Sequence, residues 1–290
     1  MDRDFRPRRS VLYMPGSNAR ALEKAKGLSA DALILDLEDA VSPAEKIAAR
    51  DLVCAAVSGG GYGARELAIR INGPDTEWGK DDLAAACAAA PDAILVPKIE
   101  SAAQVRDIAG RIAAAGAPET VALWAMMETP LGMLNAAEIA AASPRLSVLI
   151  MGTNDLVKDL HAEHTPDRLP VITGLGIAML AARAHGLAII DGVYNAFKDD
   201  DGLRASCLQG KALGMDGKTL IHPAQIAITN EVFGPDAAAL ALARRYVDAF
   251  EAAQAAGQGV AVVDGRIVEN LHVENAQRLL AMAEAIERLH

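Results

Sequence analysis

Residues 32–39 read Ala-Leu-Ile-Leu-Asp-Leu-Glu-Asp, an apolar run that ends in carboxylates. A short, almost continuously apolar run is typical of a parallel strand that is buried on both faces. Residues 43–57, which follow after a polar turn, are rich in alanine and have helical spacing. The segment therefore predicts one strand–helix unit of an α/β fold.

The same unit recurs eight times along the chain. Candidate strands lie at residues 10–14, 32–37, 66–72, 93–97, 121–127, 146–151, 188–191 and 218–221. Candidate helices lie at residues 19–28, 43–57, 78–89, 101–115, 131–142, 171–185, 203–213 and 223–233. Eight such units predict a (β/α)₈ TIM barrel, with a doubly wound open sheet as the competing arrangement.

The pattern changes after about Gly234. Residues 236–256 predict one long helix, and residues 260–268 alternate around Asp264-Gly265, a dipeptide typical of hairpin turns. A last helix is predicted from about Val273. We therefore expect a barrel catalytic domain at residues 1–234 and, at residues 235–290, a helix–hairpin–helix extension acting as a lid or an oligomer arm.

The composition restricts the partners and the compartment. The 290 residues are 52% hydrophobic, which is enough to form a sizeable core, and the net charge of −10 argues against a nucleic-acid partner. The three cysteines form no metal-ligand or disulfide pattern, and no apolar run approaches the ~18–20 residues of a membrane span. We expect a cytoplasmic protein with no membrane segment.

Polar residues follow several of the predicted strands, where a barrel carries its catalytic groups. Glu128 and Asp155 follow neighbouring strands, and paired carboxylates without a His or Cys cluster favour Mg²⁺, with Mn²⁺ as the second choice. Arg70 offers a permanently charged guanidinium for a substrate oxygen or carboxylate. The pattern alone equally allows Glu128 and Asp155 to cap the following helices, and it favours a supporting or capping role for Glu38 and Asp39.

Seven segments, in order, resemble the citrate lyase β-subunit family, which includes malyl-CoA and citramalyl-CoA lyases among the Mg²⁺-dependent barrel aldolases. They are Arg-Ser-Val-Leu-Tyr-Met-Pro-Gly-Ser-Asn at 9–18, Leu-Asp-Leu-Glu-Asp-Ala-Val at 35–41, Arg-Ile-Asn at 70–72, Met-Glu-Thr-Pro at 127–130, Gly-Thr-Asn-Asp-Leu at 152–156, Asp-Gly-Val-Tyr at 191–194 and Gly-Lys-Thr-Leu-Ile-His-Pro at 217–223. The tail at residues 259–266, Gly-Val-Ala-Val-Val-Asp-Gly-Arg, continues the resemblance.

The resemblance implies roles for the residues after the strands. Glu128 and Asp155 would hold Mg²⁺, Arg70 and Glu128 would contact the substrate, and Glu38 and Asp39 would support the water molecules around the metal. It also implies the (β/α)₈ fold and assembly as trimers or multiples of trimers.

Further roles follow from the ends of the chain. Tyr13 and Lys24 fall where malyl-CoA-type relatives contact the coenzyme. Glu269 stands where such relatives carry an aspartate that reaches a neighbouring subunit's active site as an acid or base. Glutamate has the same chemistry on a longer side chain, and a misplacement of ~1 Å can cost about a hundredfold in rate.

The resemblance favours a Mg²⁺-dependent carbon–carbon lyase. It would cleave malyl-, citramalyl- or citryl-CoA reversibly into a 2-oxo acid (glyoxylate, pyruvate or oxaloacetate) and acetyl-CoA or a related acyl-CoA. Glu269, or a water molecule, would protonate the product enolate. Four alternatives stay open: an acyl-CoA thioesterase or a free-acid aldolase on the same Mg²⁺ site, a lyase-complex subunit that needs an acyl-carrier partner, and a binding or regulatory protein with an inactive site. The sequence leaves the acyl group and the direction of reaction open.

Overall fold

The computed structural model describes residues 6–289, which form two compact units. Residues 8–230 make the larger unit, and residues 231–289 with residues 6 and 7 make the smaller one. Residues 1–5 of the predicted catalytic domain and residue 290 of the predicted extension lie outside the described residues. No helix within residues 6–289 is long and apolar enough to cross a membrane.

The larger unit contains a closed barrel of eight parallel strands that pair in chain order, and β1 completes the circle against β8. The strands are β1 (Ser10–Pro15), β2 (Ala32–Asp36), β3 (Glu66–Arg70), β4 (Ala93–Val96), β5 (Ala122–Met127), β6 (Leu146–Met151), β7 (Ala188–Asp191) and β8 (Gly217–Leu220). Each coincides with an apolar run predicted as a strand. The predicted (β/α)₈ barrel is therefore confirmed, and the open sheet is excluded.

The strands are buried on both faces. Ile34, Trp124 and Ile150 belong to one fully buried cluster contributed by most of the strands. Leu33 and Leu149, their neighbours in sequence, are equally inaccessible to solvent. Burial on both faces explains why the runs are continuously apolar rather than alternating. A barrel filled in this way is a packed core, so it holds the strand ends at fixed spacings.

Ten helices follow the strands in chain order. They are α1 (Ala19–Ala25), α2 (Lys46–Gly59), α3 (Gly79–Ala89), α4 (Ala102–Ala114), α5 (Pro130–Leu134), α6 (Ala136–Ala140), α7 (Thr153–Asp159), α8 (Leu169–Ala184), α9 (Asp200–Leu213) and α10 (Ile226–Phe233). Local sequence sets several of their starts. Ser101 and Gln104 form a reciprocal capping box at α4, and the Thr129 side chain accepts a hydrogen bond from Gly132 N at α5, with Pro130 in the first turn.

Two helices differ from the sequence prediction. The helix predicted over residues 131–142 is divided at Asn135, which ends α5, begins α6 and donates its side-chain amide to Glu100 O at 2.8 Å. The seven-residue helix α7 was not predicted, and it begins directly after β6 with Gly152 as its N-cap. Asp155 therefore lies in the first turn of α7 rather than at its cap.

The smaller unit has the predicted helix–hairpin–helix order. Helix α11 (Ala237–Ala255) precedes the antiparallel strands β9 (Ala261–Val263) and β10 (Arg266–Val268), and α12 (Asn270–Leu289) ends the described chain. Asp264 and Gly265 connect the two strands and both have positive φ, 51° and 74°, as a type I′ turn requires. Phe250, Val263 and Val268 belong to this unit's own apolar core.

Candidate active site

A cavity of about 310 Å³ opens at the carboxyl ends of the barrel strands. Five of the residues singled out in the sequence line it: Tyr13, Asp39, Arg70, Glu128 and Asp155. The structure therefore brings together side chains that are up to 142 positions apart in the chain. The other lining residues are Asp36, Ala40, Met126, Met151, Gly152, Thr153, Asn154, Val193, Thr219 and Ile221.

Arg70 is held by a buried carboxylate that the sequence analysis did not assign. Asp36 and Arg70 are register partners on β2 and β3, and Arg70 Nε and Nη2 each donate to Asp36 at 2.6 Å. Asp36 is 1% exposed and also accepts from the backbone N–H groups of Glu38 and Ala40. The bidentate edge of the guanidinium is thus occupied within the protein, and Nη1 is the remaining donor nitrogen.

The Nη1 edge of Arg70 faces two more carboxylates. It lies 3.0 Å from Glu38 Oε2 and 3.3 Å from Asp39 Oδ2. Burial raises the pKa of Glu38 to about 7, although the positive charge of Arg70 opposes this shift. The two residues predicted to support the metal's waters are therefore arranged around the arginine, and Asp39 remains largely exposed.

Tyr13 packs on the same guanidinium. The Arg70 Cζ lies 4.8 Å from the centre of the tyrosine ring, a cation–π distance. The Tyr13 hydroxyl lies 4.0 Å from Met126 Sδ, and Arg70 Nη1 lies 3.8 Å from the same sulfur. Burial is the main reason that the pKa of Tyr13 is raised, so the phenol stays protonated across the physiological range.

Of the two carboxylates predicted to bind metal, Glu128 is the more buried, and it is 2% exposed. Its Oε1 accepts a hydrogen bond from Lys98 N at 2.8 Å, and Lys98 adopts a left-handed φ of 52°. Burial and, secondly, the negative charge of Glu38 raise the pKa of Glu128 to about 8. The ionised form of this carboxylate is destabilised, and a neighbouring cation would stabilise it.

Gly152 makes room for Glu128. A Cβ at this position would lie 2.4 Å from Glu128 Cβ and 2.7 Å from Glu128 Oε2. Such distances are shorter than van der Waals contact, so residue 152 needs to lack a side chain. The Gly-Thr-Asn-Asp-Leu motif contains this glycine, but nothing in the sequence indicates that it packs on the carboxylate.

Asp155 completes the pair of carboxylates predicted to bind metal. Its side chain is 31% exposed, and Lys158 Nζ is 4.0 Å from Asp155 Oδ1. Within residues 6–289 there is no group of three or more His, Cys, Asp or Glu placed to hold a metal ion. Two carboxylates beside an open cavity nevertheless suit Mg²⁺, which takes one or two protein carboxylates and keeps waters or substrate oxygens.

Three predicted residues do not line this cavity: Glu38, which contacts Arg70, and also Lys24 and Glu269. Lys24 is exposed in the last turn of α1. Glu269 belongs to the smaller unit, where it is exposed between β10 and α12, and its backbone N–H donates to His272 Nδ1 at 3.1 Å. Their roles toward the coenzyme and toward a neighbouring subunit remain predictions.

Comparison with known proteins identifies the family. A (3S)-malyl-CoA thioesterase of Cereibacter sphaeroides (strain ATCC 17025 / ATH 2.4.3) is 61% identical over 280 residues, covering 97% of this chain and 96% of the relative. An L-malyl-CoA/β-methylmalyl-CoA lyase of Cereibacter sphaeroides (strain ATCC 17029 / ATH 2.4.9) is 34% identical over 307 residues, covering 97% of this chain and 96% of that relative.

A solved structure shares the fold over nearly the whole chain. It is the protein CitE from Mycobacterium tuberculosis in complex with magnesium, acetoacetate and coenzyme A, with a TM-score of 0.76, 30% identity and coverage of 95% of this chain and 97% of that one. The model of the HpcH/HpaI aldolase/citrate lyase family matches residues 9–223, which span the eight-stranded barrel. This chain belongs to the HpcH/HpaI aldolase/citrate lyase family.

Proposed function

We propose that the protein is a thioesterase that hydrolyses (3S)-malyl-CoA to malate and free coenzyme A. The observation that carries this proposal is the 61% identity, over 97% of the chain, to a (3S)-malyl-CoA thioesterase. Hydrolysis was the alternative to the carbon–carbon lyase favoured by the sequence motifs, and it is now the better supported of the two. The sequence motifs left both reactions open.

The proposed cofactor is Mg²⁺, with Mn²⁺ as the second choice. Glu128 and Asp155 would hold it, and a relative of the same fold is known in complex with magnesium. When bound, the ion would orient and polarise the oxygens of the malyl group. A cation placed here would also offset the burial and, secondly, the charge repulsion by Glu38 that raise the pKa of Glu128.

The substrate would enter with its acyl group in the cavity. A volume of about 310 Å³ accommodates a four-carbon acid but not the whole coenzyme, so the coenzyme must extend beyond the cavity. The exposed ammonium of Lys24 is the proposed contact for its phosphates. Arg70, fixed by Asp36, would supply positive charge beside the acyl group, while its Nη1 also contacts Glu38 and Asp39.

Glu38 is the proposed general base. Its pKa of about 7 suits proton transfer near neutral pH, and its Oε2 lies 3.0 Å from Nη1 of Arg70, a residue that lines the cavity. Glu38 would take a proton from the attacking water as the water oxygen bonds to the thioester carbon. When the carbon–sulfur bond breaks, that proton would pass to the coenzyme A sulfur, which leaves as the thiol.

Carbon–carbon cleavage is the second candidate. The 34% identical L-malyl-CoA/β-methylmalyl-CoA lyase and the family itself favour it. This reaction would need an acid to protonate the acetyl-CoA enolate, the role proposed for Glu269. The two candidates share substrate and metal but differ in products: hydrolysis gives malate and a free thiol, and cleavage gives glyoxylate and acetyl-CoA.

A product assay tests the proposal. Purified protein with Mg²⁺ and (3S)-malyl-CoA should release one free thiol for each thioester consumed, and a chelator should stop the release. Glu128→Gln should abolish activity, whereas Glu138→Gln, an exposed glutamate of α6, should leave it unchanged. Accumulation of acetyl-CoA without free thiol would overturn the thioesterase in favour of the lyase.

A further inference from the structure

We propose that the Tyr13 hydroxyl is a catalytic hydrogen-bond donor to the thioester carbonyl oxygen. The inference rests on the proposed thioesterase function and changes the role expected for Tyr13, which the family resemblance implies to be a coenzyme contact. Its basis is the juxtaposition of Tyr13, Arg70 and Met126 on one wall of the cavity.

Tyr13 is on the inner wall of the barrel rather than on the outer surface. It is half-buried in β1, its ring lies against the Arg70 guanidinium at 4.8 Å, and it packs on the barrel's interior cluster. Packing on a guanidinium that Asp36 holds at 2.6 Å limits the movement of the ring. A donor fixed in this way needs little reorganisation when charge develops on a nearby oxygen.

The Tyr13 hydroxyl faces a weak hydrogen-bond acceptor. Tyr13 Oη lies 4.0 Å from the thioether sulfur of Met126, and Arg70 Nη1 lies 3.8 Å from the same atom. Two strong donors thus converge on a sulfur that accepts hydrogen bonds poorly. An oxygen placed beside Met126 would be a better acceptor for the phenol, and the unbranched Met126 side chain can shift to admit it.

The carbonyl oxygen of the thioester is the substrate atom that gains from this donor. As the water oxygen bonds to the carbonyl carbon, the C=O electron pair moves onto that oxygen, and the negative charge is held by the Tyr13 O–H and by the adjacent Arg70 cation. When the electron pair returns, the C=O bond re-forms and the carbon–sulfur bond breaks. Arg70 Nη1 also contacts Glu38 and Asp39, so the phenol supplies the directed hydrogen bond and the arginine mainly the charge.

Kinetics of Tyr13→Phe test this assignment. The variant keeps the ring on Arg70 and removes the hydroxyl alone. We expect kcat for (3S)-malyl-CoA hydrolysis to fall on the order of 10²-fold while KM rises much less, since the hydrogen bond is already made to the ground-state carbonyl and strengthens in the transition state. Tyr62→Phe is the matched control: Tyr62 is buried, its hydroxyl donates to Leu22 O, and it does not line the cavity, so its kcat should match the wild type.

Binding of unreactive analogues separates this inference from the proposed function. A ketone analogue, in which CH₂ replaces the thioester sulfur, keeps the carbonyl oxygen, and a thioether analogue lacks it. Calorimetry should show that wild type binds the ketone more tightly than the thioether and that Tyr13→Phe loses most of this difference in affinity. This result is expected whether or not wild type hydrolyses malyl-CoA. An unchanged kcat and unchanged preference would overturn the inference. A raised KM with unaltered kcat would also overturn it, because Tyr13 would then be a coenzyme contact.

Discussion

Gly152 packs so closely on Glu128 that adding one methyl group at position 152 should displace the Glu128 carboxylate. Gly152→Ala would place a Cβ 2.4 Å from Glu128 Cβ, and the φ of −94° at this position is accessible to alanine. The substitution should therefore displace the carboxylate without straining the backbone. A shift of ~1 Å in a group that positions the reacting atoms can cost about a hundredfold in rate.

We predict that Gly152→Ala lowers activity about a hundredfold and raises the Mg²⁺ concentration needed for half-maximal activity. Gly176→Ala in α8 is the matched control, because a Cβ there meets nothing within 4 Å. It should keep full activity and gain about 0.5–1 kcal/mol of stability, since alanine favours the helix. An unaltered Mg²⁺ titration of the Gly152→Ala variant would contradict this account of the site.

Glu128 should make the metal-free protein less stable as pH rises. Its pKa is about 8 in the folded protein and 4.5 in its unperturbed state. Between these values the folded chain holds a proton that the unfolded chain has released, so stability is fully present below about pH 4.5 and is lost as pH rises toward 8.

Thermal unfolding in chelator checks this sign. In Glu128→Gln the amide oxygen can still accept a hydrogen bond from Lys98 N. The melting temperature of this variant should equal that of wild type near pH 4.5 and should exceed it by a growing margin as the pH rises toward 8. Added Mg²⁺ should raise the melting temperature of wild type but not of Glu128→Gln. A gap between the two proteins that is independent of pH would show that Glu128 does not titrate in this range.

At the scale of elements, a buried ion triad joins β7, β8 and the start of α8. Asp191 accepts from Lys218 Nζ at 2.8 Å and from Arg168 Nη1 at 2.6 Å, and both Asp191 and Lys218 are completely inaccessible. Burial opposes ionisation of Asp191, but the two cations outweigh it and its pKa is lowered. The triad therefore holds together strand ends that border the cavity at Val193 and Thr219.

Removing Asp191 and removing Lys218 from this triad should lower the stability of the protein by different amounts. Asp191→Ala leaves two cations without their shared partner and should cost about 3–5 kcal/mol of stability. Lys218→Met leaves Asp191 paired with Arg168 and should cost clearly less. Denaturant unfolding of both variants measures the difference, and a larger loss for Lys218→Met would contradict the view that Asp191 is the centre of the triad.

The elements also show what the sequence could and could not predict. All eight strands were predicted because burial on both faces makes each a continuous apolar run. Helix α7 was missed because Thr153, Asn154 and Asp155 favour turns and caps over helix interiors, and seven residues are too few for a visible period. Because the candidate residues follow predicted strands, the sequence predicted that they lie at the same end of the barrel. It could not predict the pairing of Arg70 with Asp36, which depends on the register between β2 and β3.

For the whole molecule, the central expectation is that the smaller unit acts on a neighbouring copy. Trimer assembly and a catalytic role for Glu269 across subunits were implied by the family resemblance and remain proposals. In their favour, Glu269 is exposed and lies in a unit that has its own apolar core. Head-to-tail assembly would give every site an Arg70 from one subunit and a Glu269 from the next.

Complementation between inactive variants tests this arrangement. For carbon–carbon cleavage, the reaction that needs Glu269 as its acid, Arg70→Lys and Glu269→Gln should each be nearly inactive alone. Co-expressed in equal amounts they should regain about a quarter of wild-type cleavage activity, the random share of intact sites. The double variant mixed with Arg70→Lys is the control and should stay inactive. If the two single variants are inactive but their mixture regains nothing, Glu269 does not act across subunits.

The choice between hydrolysis and carbon–carbon cleavage is tested most directly by isotope labelling. Purified protein with Mg²⁺ and (3S)-malyl-CoA would react in water enriched in ¹⁸O, with products followed by mass spectrometry. The thioesterase proposal predicts malate that carries one ¹⁸O in the carboxylate derived from the thioester, together with unlabelled free coenzyme A. Formation of glyoxylate and acetyl-CoA, with no labelled malate, would contradict it and assign the protein to the lyases of its family.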